Sequence, residues 1–166
     1  MSKLSPEIFK SAKKYLSPTQ DFLLDDVQTV LQSLEHDHIS DYSFLVSPIS
    51  KAYEGYLKDF FLKTGIIDHF TYESDRFRVG KTLNPSLRYR RFSIYQKLSN
   101  LHQEGEAIAE KLWTAWKYGR NEIFHYFPNN LKKLSREEAE DRIFMLLTAI
   151  IDSSRFYNQY LNDTLL

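Results

Sequence analysis

There is no cysteine among the 166 residues. Disulfides, thiolate metal sites and cysteine nucleophiles are therefore excluded, and a reducing cytoplasm is the compartment expected. Glycine and proline are scarce, five of each, which leaves little material for long flexible loops. Net charge is absent too: 22 Lys and Arg balance 22 Asp and Glu, so the chain is not one that coats nucleic acid by bulk electrostatics. Long apolar runs are missing. Residues 1–16 contain no apolar core of a secretory signal, and the longest nearly apolar run, residues 143–151, is too short to span a bilayer, so no membrane partner is expected. No Ser-based triad and no Gly-rich dinucleotide loop is present, and "VGKTL" is not a phosphate loop because the earlier glycine it needs falls at Asp75. No cofactor is implied by any of these patterns.

Aromatic residues are plentiful, 15% of the chain with 12 Phe and 11 Tyr, and the 42% hydrophobic content is enough for one domain, residues 1–166, to bury a core. Ser5-Pro6-Glu7 and Ser17-Pro18-Thr19-Gln20 both look like helix starts, with Ser as N-cap and Pro in the first turn. Phe22, Leu23, Val27, Val30, Leu31 and Leu34 then recur with helical period. Ser47-Pro48 repeats the start signal. Ile49, Ala52, Tyr53, Tyr56, Leu57 and Phe60 mark one face up to Gly65 as a stop. Residues 66–85 alternate in part and are expected to form a short hairpin or irregular insertion. Helix is expected again from Ser86, with a break near Gly105, running through Ile108, Leu112, Trp113 and Trp116 and ending at Pro128. Ser135 to Glu138 form a capping box, with Leu134 and Ala139 placed as a hydrophobic staple, and Ile143, Phe144, Leu147, Ile150, Ile151 and Phe156 line one side of the last helix. The expected fold class is all-α, a bundle of about five helices.

Charge is unevenly placed. From Arg76 to Gln103 there is no Asp or Glu, while Arg76, Arg78, Lys81, Arg88, Arg90, Arg91 and Lys97 all fall there. In "LRYRRFSIY" the arginines interleave with Tyr89 and Phe92, which suits phosphate contacts and base stacking. It suits equally a solvated helix start whose aromatic rings face the core. His36 and His38 in "EHDH" lack a matched set of downstream ligands, so no metal site is expected, and His69 and His102 have no evident partner.

The most suggestive stretch is "KYGRNEIFHYFP", residues 117–128. On a regular helix Asn121 and His125, four apart, stack on one face, and the Asn amide can orient the imidazole by a hydrogen bond. Arg120, five residues from His125, points roughly 140° away. It reaches the histidine by a helix distortion, for which Gly119 is the weak point, by the length of its side chain, or by twofold pairing with a second copy. An arginine can hold a phosphate bidentately and offset developing charge, and a histidine can move a proton at an attacking hydroxyl or a leaving oxygen. A histidine among Phe124, Tyr126 and Phe127 can also be an ordinary boundary residue.

"RNEIFH", followed by a polar turn and a capped final helix, resembles the Arg-x4-6-His signature of the HEPN superfamily, in which Asn commonly follows the Arg. "SKAYEGYLKDFF" resembles the preceding helix of such domains, and the chain from about Ser43 to Leu161 is most similar to the HEPN domain of ribonuclease LS-type toxins. The resemblance implies a small all-α domain, usually a homodimer, acting on RNA as a metal-independent endoribonuclease in toxin–antitoxin or phage-defence systems, with an antitoxin protein as a further partner. It implies catalytic roles for Arg120 and His125, with Asn121 orienting the histidine, and it adds Lys51 and Glu54, one helical turn apart. Arg88, Arg90, Arg91 and Tyr126 are the expected RNA contacts. Two positions depart from the family pattern. The basic residue is Lys51 where Arg is typical, and the Tyr that nucleotidyltransferase-controlled members carry two residues beyond the His is Phe127 here, with Tyr126 beside it. The alternative is a non-catalytic helical module that binds RNA or a protein.

Overall fold

Helix dominates because the apolar residues recur at helical spacing and the start signals are well placed. The computed structural model describes residues 4–34 and 38–162. Its helices are α1 (Pro6–Lys13), α2 (Pro18–Ser33), α3 (Ser43–Lys63), α4 (His69–Glu73), α5 (Val79–Leu83), α6 (Ile94–Ser99), α7 (Gly105–Trp116), α8 (Glu122–Phe124) and α9 (Arg136–Phe156), and no strand occurs among the described residues. The fold is all-α. Five longer helices, α1, α2, α3, α7 and α9, carry the bundle, and the remaining four are a turn or two each.

Two capping boxes form as their sequences indicate. Ser17 and Gln20 close the start of α2, and Ser135 and Glu138 close the start of α9, each pair satisfying two otherwise orphaned N–H groups. Gly65 takes φ +71° just past α3, a left-handed position that favours glycine.

Four boundaries differ from the sequence expectation. Helix α3 begins at Ser43, not at Ser47-Pro48, and Pro48 lies inside it. The cause is Asp41, whose carboxylate accepts from both the N–H (2.9 Å) and the hydroxyl (2.6 Å) of Ser43 and so nucleates the helix earlier. Residues 66–85 are not a hairpin. Asp68 caps α4 through the Thr71 N–H at 2.8 Å, and α5 follows, so local capping wins over weak alternation. Helix does not resume at Ser86: a single 3-10 turn, Pro85–Leu87, precedes α6, which starts where Ser93 caps Gln96. Lastly, the helical run ends at Phe124, short of Pro128. His125 is already extended (φ −109°, ψ 130°), and Asn129 and Asn130 take positive φ to turn the chain back. That reversal brings the Asn130 amide (2.9 Å) and the Leu134 N–H (3.2 Å) onto the Asp41 carboxylate. Burial pushes the Asp41 pKa up, but the bonds from Ser43, Asn130 and Leu134 outweigh it and hold the carboxyl at about 2.

Helix α3 is the centre of the bundle, flanked by α2 and α9, with α7 packed on α9 and α1 closing one side. Buried residues from α1 to α9 form one continuous hydrophobic cluster. Three hydroxyls spaced three residues apart on α3 stitch it to its neighbours. Ser50 donates to the Gly119 carbonyl, Tyr53 to Leu112 O (2.9 Å), and Tyr56 to Ile150 O (3.1 Å) while also meeting Ser153 and Ser154 at 2.7 Å. Buried hydroxyls without partners would each cost about 1–3 kcal/mol, so this seam sets the register of α3 against α7 and α9. Trp116 is buried and Trp113 packs against the core.

Candidate functional site

The helix that carries the Arg-Asn-x-x-x-His stretch is not regular. Between α7 and α8 the backbone widens into a π turn over Lys117–Asn121, closed by the Glu122 N–H donating to Lys117 O five residues back. Gly119 sits in the middle of it, as expected of the weak point. The turn is held open by tertiary packing: Ser50 Oγ of α3 takes up the Gly119 carbonyl, and a Cβ on Gly119 would stand 2.6 Å from Leu146 Cδ2 of α9. A side chain at residue 119 would have to displace Leu146, so glycine lets α9 approach this turn closely. Such π turns frequently mark functional sites.

The turn delivers Arg120 into a cleft of about 410 Å³ between α3 and the end of this helix, walled by Ser47, Pro48, Lys51, Glu54, Arg120 and Phe124. Arg120 is clamped between two rings, its guanidinium 5.3 Å from the Trp116 ring centre and 4.9 Å from that of Phe124. Its Nε lies 3.6 Å from Glu54 Oε2, within ion-pair range but too far for a hydrogen bond, and this buried N–H has no hydrogen-bond partner. Lys51, one turn before Glu54, is exposed at the rim and forms no ion pair among the described residues. Arg120, Glu54 and Lys51 therefore share one cleft, although 69 residues separate the two cations.

His125 is not part of that wall. It is exposed, extends from the helix end and makes no hydrogen bond, ion pair or ring contact among the described residues; Asn121 makes no hydrogen bond to it. Because the helix stops at Phe124, the four-residue stacking of Asn121 on His125 does not form within the chain. The distortion is present, yet it does not by itself join Arg120 to His125. Tyr126, next to the histidine, is 79% exposed and Phe124 is 50% exposed, so this helix end presents bare aromatic surface.

The arginines of the basic segment divide. Arg88 is engaged, donating to Gln96 Oε1 and Glu106 Oε1 at 2.8 Å each, whereas Arg90 covers the ring of Tyr89 and Arg91 is exposed and unpaired among the described residues. His102, without an obvious partner in sequence, accepts from the Glu104 N–H at 3.1 Å and stacks on Tyr160 at 4.2 Å. Glu35, His36 and Asp37 lie outside the described residues, and no group of three His, Cys, Asp or Glu able to hold a metal occurs among the described ones.

No family model, curated protein or solved structure matches the chain. No helix among the described residues is long and apolar enough to cross a membrane.

Sequence reasoning missed Ser50 and the aromatic clamp. The clamp was legible, since Trp116 and Phe124 flank Arg120 at four residues on either side. Ser50 also left a trace, a polar residue next to Ile49 within an apolar stripe.

Proposed function

We propose that the chain is a metal-independent endoribonuclease of the HEPN kind, working at the Arg120 cleft. The observation that carries this reading is the π turn that sets Arg120, clamped by two rings and with its Nε–H unbonded, beside Glu54 and Lys51 in one cleft. A phosphodiester in the cleft meets the accessible part of the Arg120 side chain and the Lys51 ammonium, which offset the charge that develops on the phosphorane oxygens. Glu54 keeps the guanidinium in place. His125 supplies the proton transfer. As base it accepts the 2′-hydroxyl proton while the 2′-oxygen bonds to phosphorus; the 5′-oxygen leaves and a proton returns to it, giving a 2′,3′-cyclic phosphate and a 5′-hydroxyl.

His125 stands clear of Arg120 within one chain, so the reading includes a homodimer in which the exposed aromatic helix ends meet and each histidine faces the partner's cleft. Asn121 then orients the imidazole in the assembled site. The setting would be toxin–antitoxin or antiviral defence in the cytoplasm, with an antitoxin protein as the restraining partner.

A second reading, a binding module without catalysis, draws on the same clamp: an arginine held by two rings and a carboxylate is also a sound structural anchor. The two part on one experiment. Mixed RNA is incubated with EDTA and with wild type, Arg120→Ala or His125→Ala protein, and the product ends are analysed. Cleavage by the wild type alone, leaving cyclic phosphate ends, is expected. Cleavage by His125→Ala at the wild-type rate removes the histidine from the mechanism, and silence from all three moves the assignment to the binding module.

A further inference from the structure

A second polar surface lies away from the cleft, around the turn that leads into α6. Arg88, Tyr89, Arg90, Arg91, Lys97 and Asn100 line a shallow groove of about 490 Å³. Its frame is rigid. Ser93 caps α6 through the Gln96 N–H at 3.1 Å, and Arg88 is held by Gln96 and Glu106 with its guanidinium 5.2 Å from the Tyr95 ring, so Arg88 builds the wall and is not free to take a ligand. Three groups are free to do so. Tyr89 is 71% exposed, with Arg90 packed on its ring at 4.9 Å. Arg91 and Lys97 are exposed and have neither ion pair nor hydrogen bond among the described residues. Unneutralised cations are notable in a chain of zero net charge, and the segment from Arg76 to Gln103 has no acid to pair with them.

We infer that this groove binds single-stranded RNA, with backbone phosphates on Arg91 and Lys97 and one base stacked on Tyr89. An exposed ring stiffened by a guanidinium is a platform for an unpaired base, whereas a duplex keeps its bases stacked on each other and offers none. An acidic protein surface would satisfy the cations but leave the ring without a role. The inference rests on the ribonuclease reading for the choice of RNA, and extends it from the scissile phosphate to the strand beside it. Helix α7 and the π turn connect the two places. Glu106, which anchors Arg88, and Arg120 are about 21 Å apart along the helix axis at 1.5 Å per residue, so a substrate touching both is several nucleotides long.

The test uses the full chain carrying His125→Ala, so that the strand stays intact, and a fluorescein-labelled 12-nucleotide RNA read by anisotropy over a salt series. Binding to the single strand should exceed binding to the same sequence in a duplex. Adding Tyr89→Ala should weaken single-strand binding about ten-fold. Adding Arg91→Ala and Lys97→Ala should lower the slope of log affinity against log salt by about 1.4. These are surface positions, so an unchanged melting temperature checks that each variant is folded. In the chain with His125 intact, the same changes should raise KM for the 12-mer and leave cleavage of a dinucleoside monophosphate, which reaches only the cleft, as it was. Loss of binding in the variants without any cleavage by the wild type keeps the groove and sinks the nuclease reading. Wild-type KM for the 12-mer in all variants keeps the nuclease and sinks the groove. Equal affinity for single strand and duplex, no RNA binding at all, or tighter binding to an acidic peptide that ignores Tyr89→Ala, would each overturn the inference.

Discussion

The hydroxyl of Ser50, midway along α3, donates a hydrogen bond to the carbonyl of Gly119 at the centre of the π turn. A wide turn leaves a backbone carbonyl poorly served by its own helix, and here another helix supplies the donor. Ser50→Ala removes that donor from a buried acceptor and should cost about 1–2 kcal/mol in urea unfolding. It should also loosen the Arg120 cleft, so on the proposed ribonuclease reading cleavage is expected to fall more steeply than stability. A variant with wild-type stability and activity would show that the turn holds itself open.

Gly119 tests the same turn from the other side. The methyl of Gly119→Ala collides with Leu146, which is fully buried, and should cost about 1–3 kcal/mol. Combining it with Leu146→Ala should lose less than the sum of the two single changes, because the truncated side chain makes room. Strict additivity in denaturation would mean that the contact is not what limits residue 119.

Glu54→Gln keeps the shape of the cleft wall and removes the charge facing Arg120. The pair is partly exposed, with side chains 32% and 35% accessible, so stability should change by less than about 1 kcal/mol. On the proposed ribonuclease reading, RNA cleavage should by contrast drop about ten-fold or more as the guanidinium loses its anchor. An unaltered rate at an unaltered melting temperature would remove Glu54 from the site.

Asp41 gives the structure an acid-sensitive clasp. Its folded-state pKa of about 2 lies below the ordinary aspartate value, so its contribution is complete above pH about 5 and is lost as the pH falls towards 2. Asp41→Ala should cost about 2 kcal/mol at pH 7, and the gap to wild type should narrow between pH 5 and pH 3. Denaturation curves at several pH values check this, and a constant gap would point to packing in place of the carboxylate's bonds.

Where the sequence was informative, the reason is local. The capping boxes at Ser17 and Ser135 and the glycine stop at Gly65 act within one helical turn, so residue identity and spacing determine them. Some boundaries were misread although their cause is local: Ser47-Pro48 looked like a start, but Asp41 engages Ser43 two residues on and initiates α3 earlier. Others depend on distant partners. The end at Phe124 depends on Asn130 and Leu134 reaching back to that same carboxylate across more than eighty residues.

The candidate site divides in the same way. Sequence alone determined the all-α class, the weak point at Gly119, and the aromatic residues four positions either side of Arg120, since helical periodicity and backbone propensity are properties of short segments. Only the tertiary structure decided that the weak point becomes a π turn, because its opening needs a hydroxyl from α3 and a close approach from α9. Only it decided that Arg120, Glu54 and Lys51 meet while His125 stands apart, and that Arg88 is occupied while Arg91 and Lys97 are not. Which groups find partners is a matter of three-dimensional proximity between helices, and no one-dimensional spacing contains it.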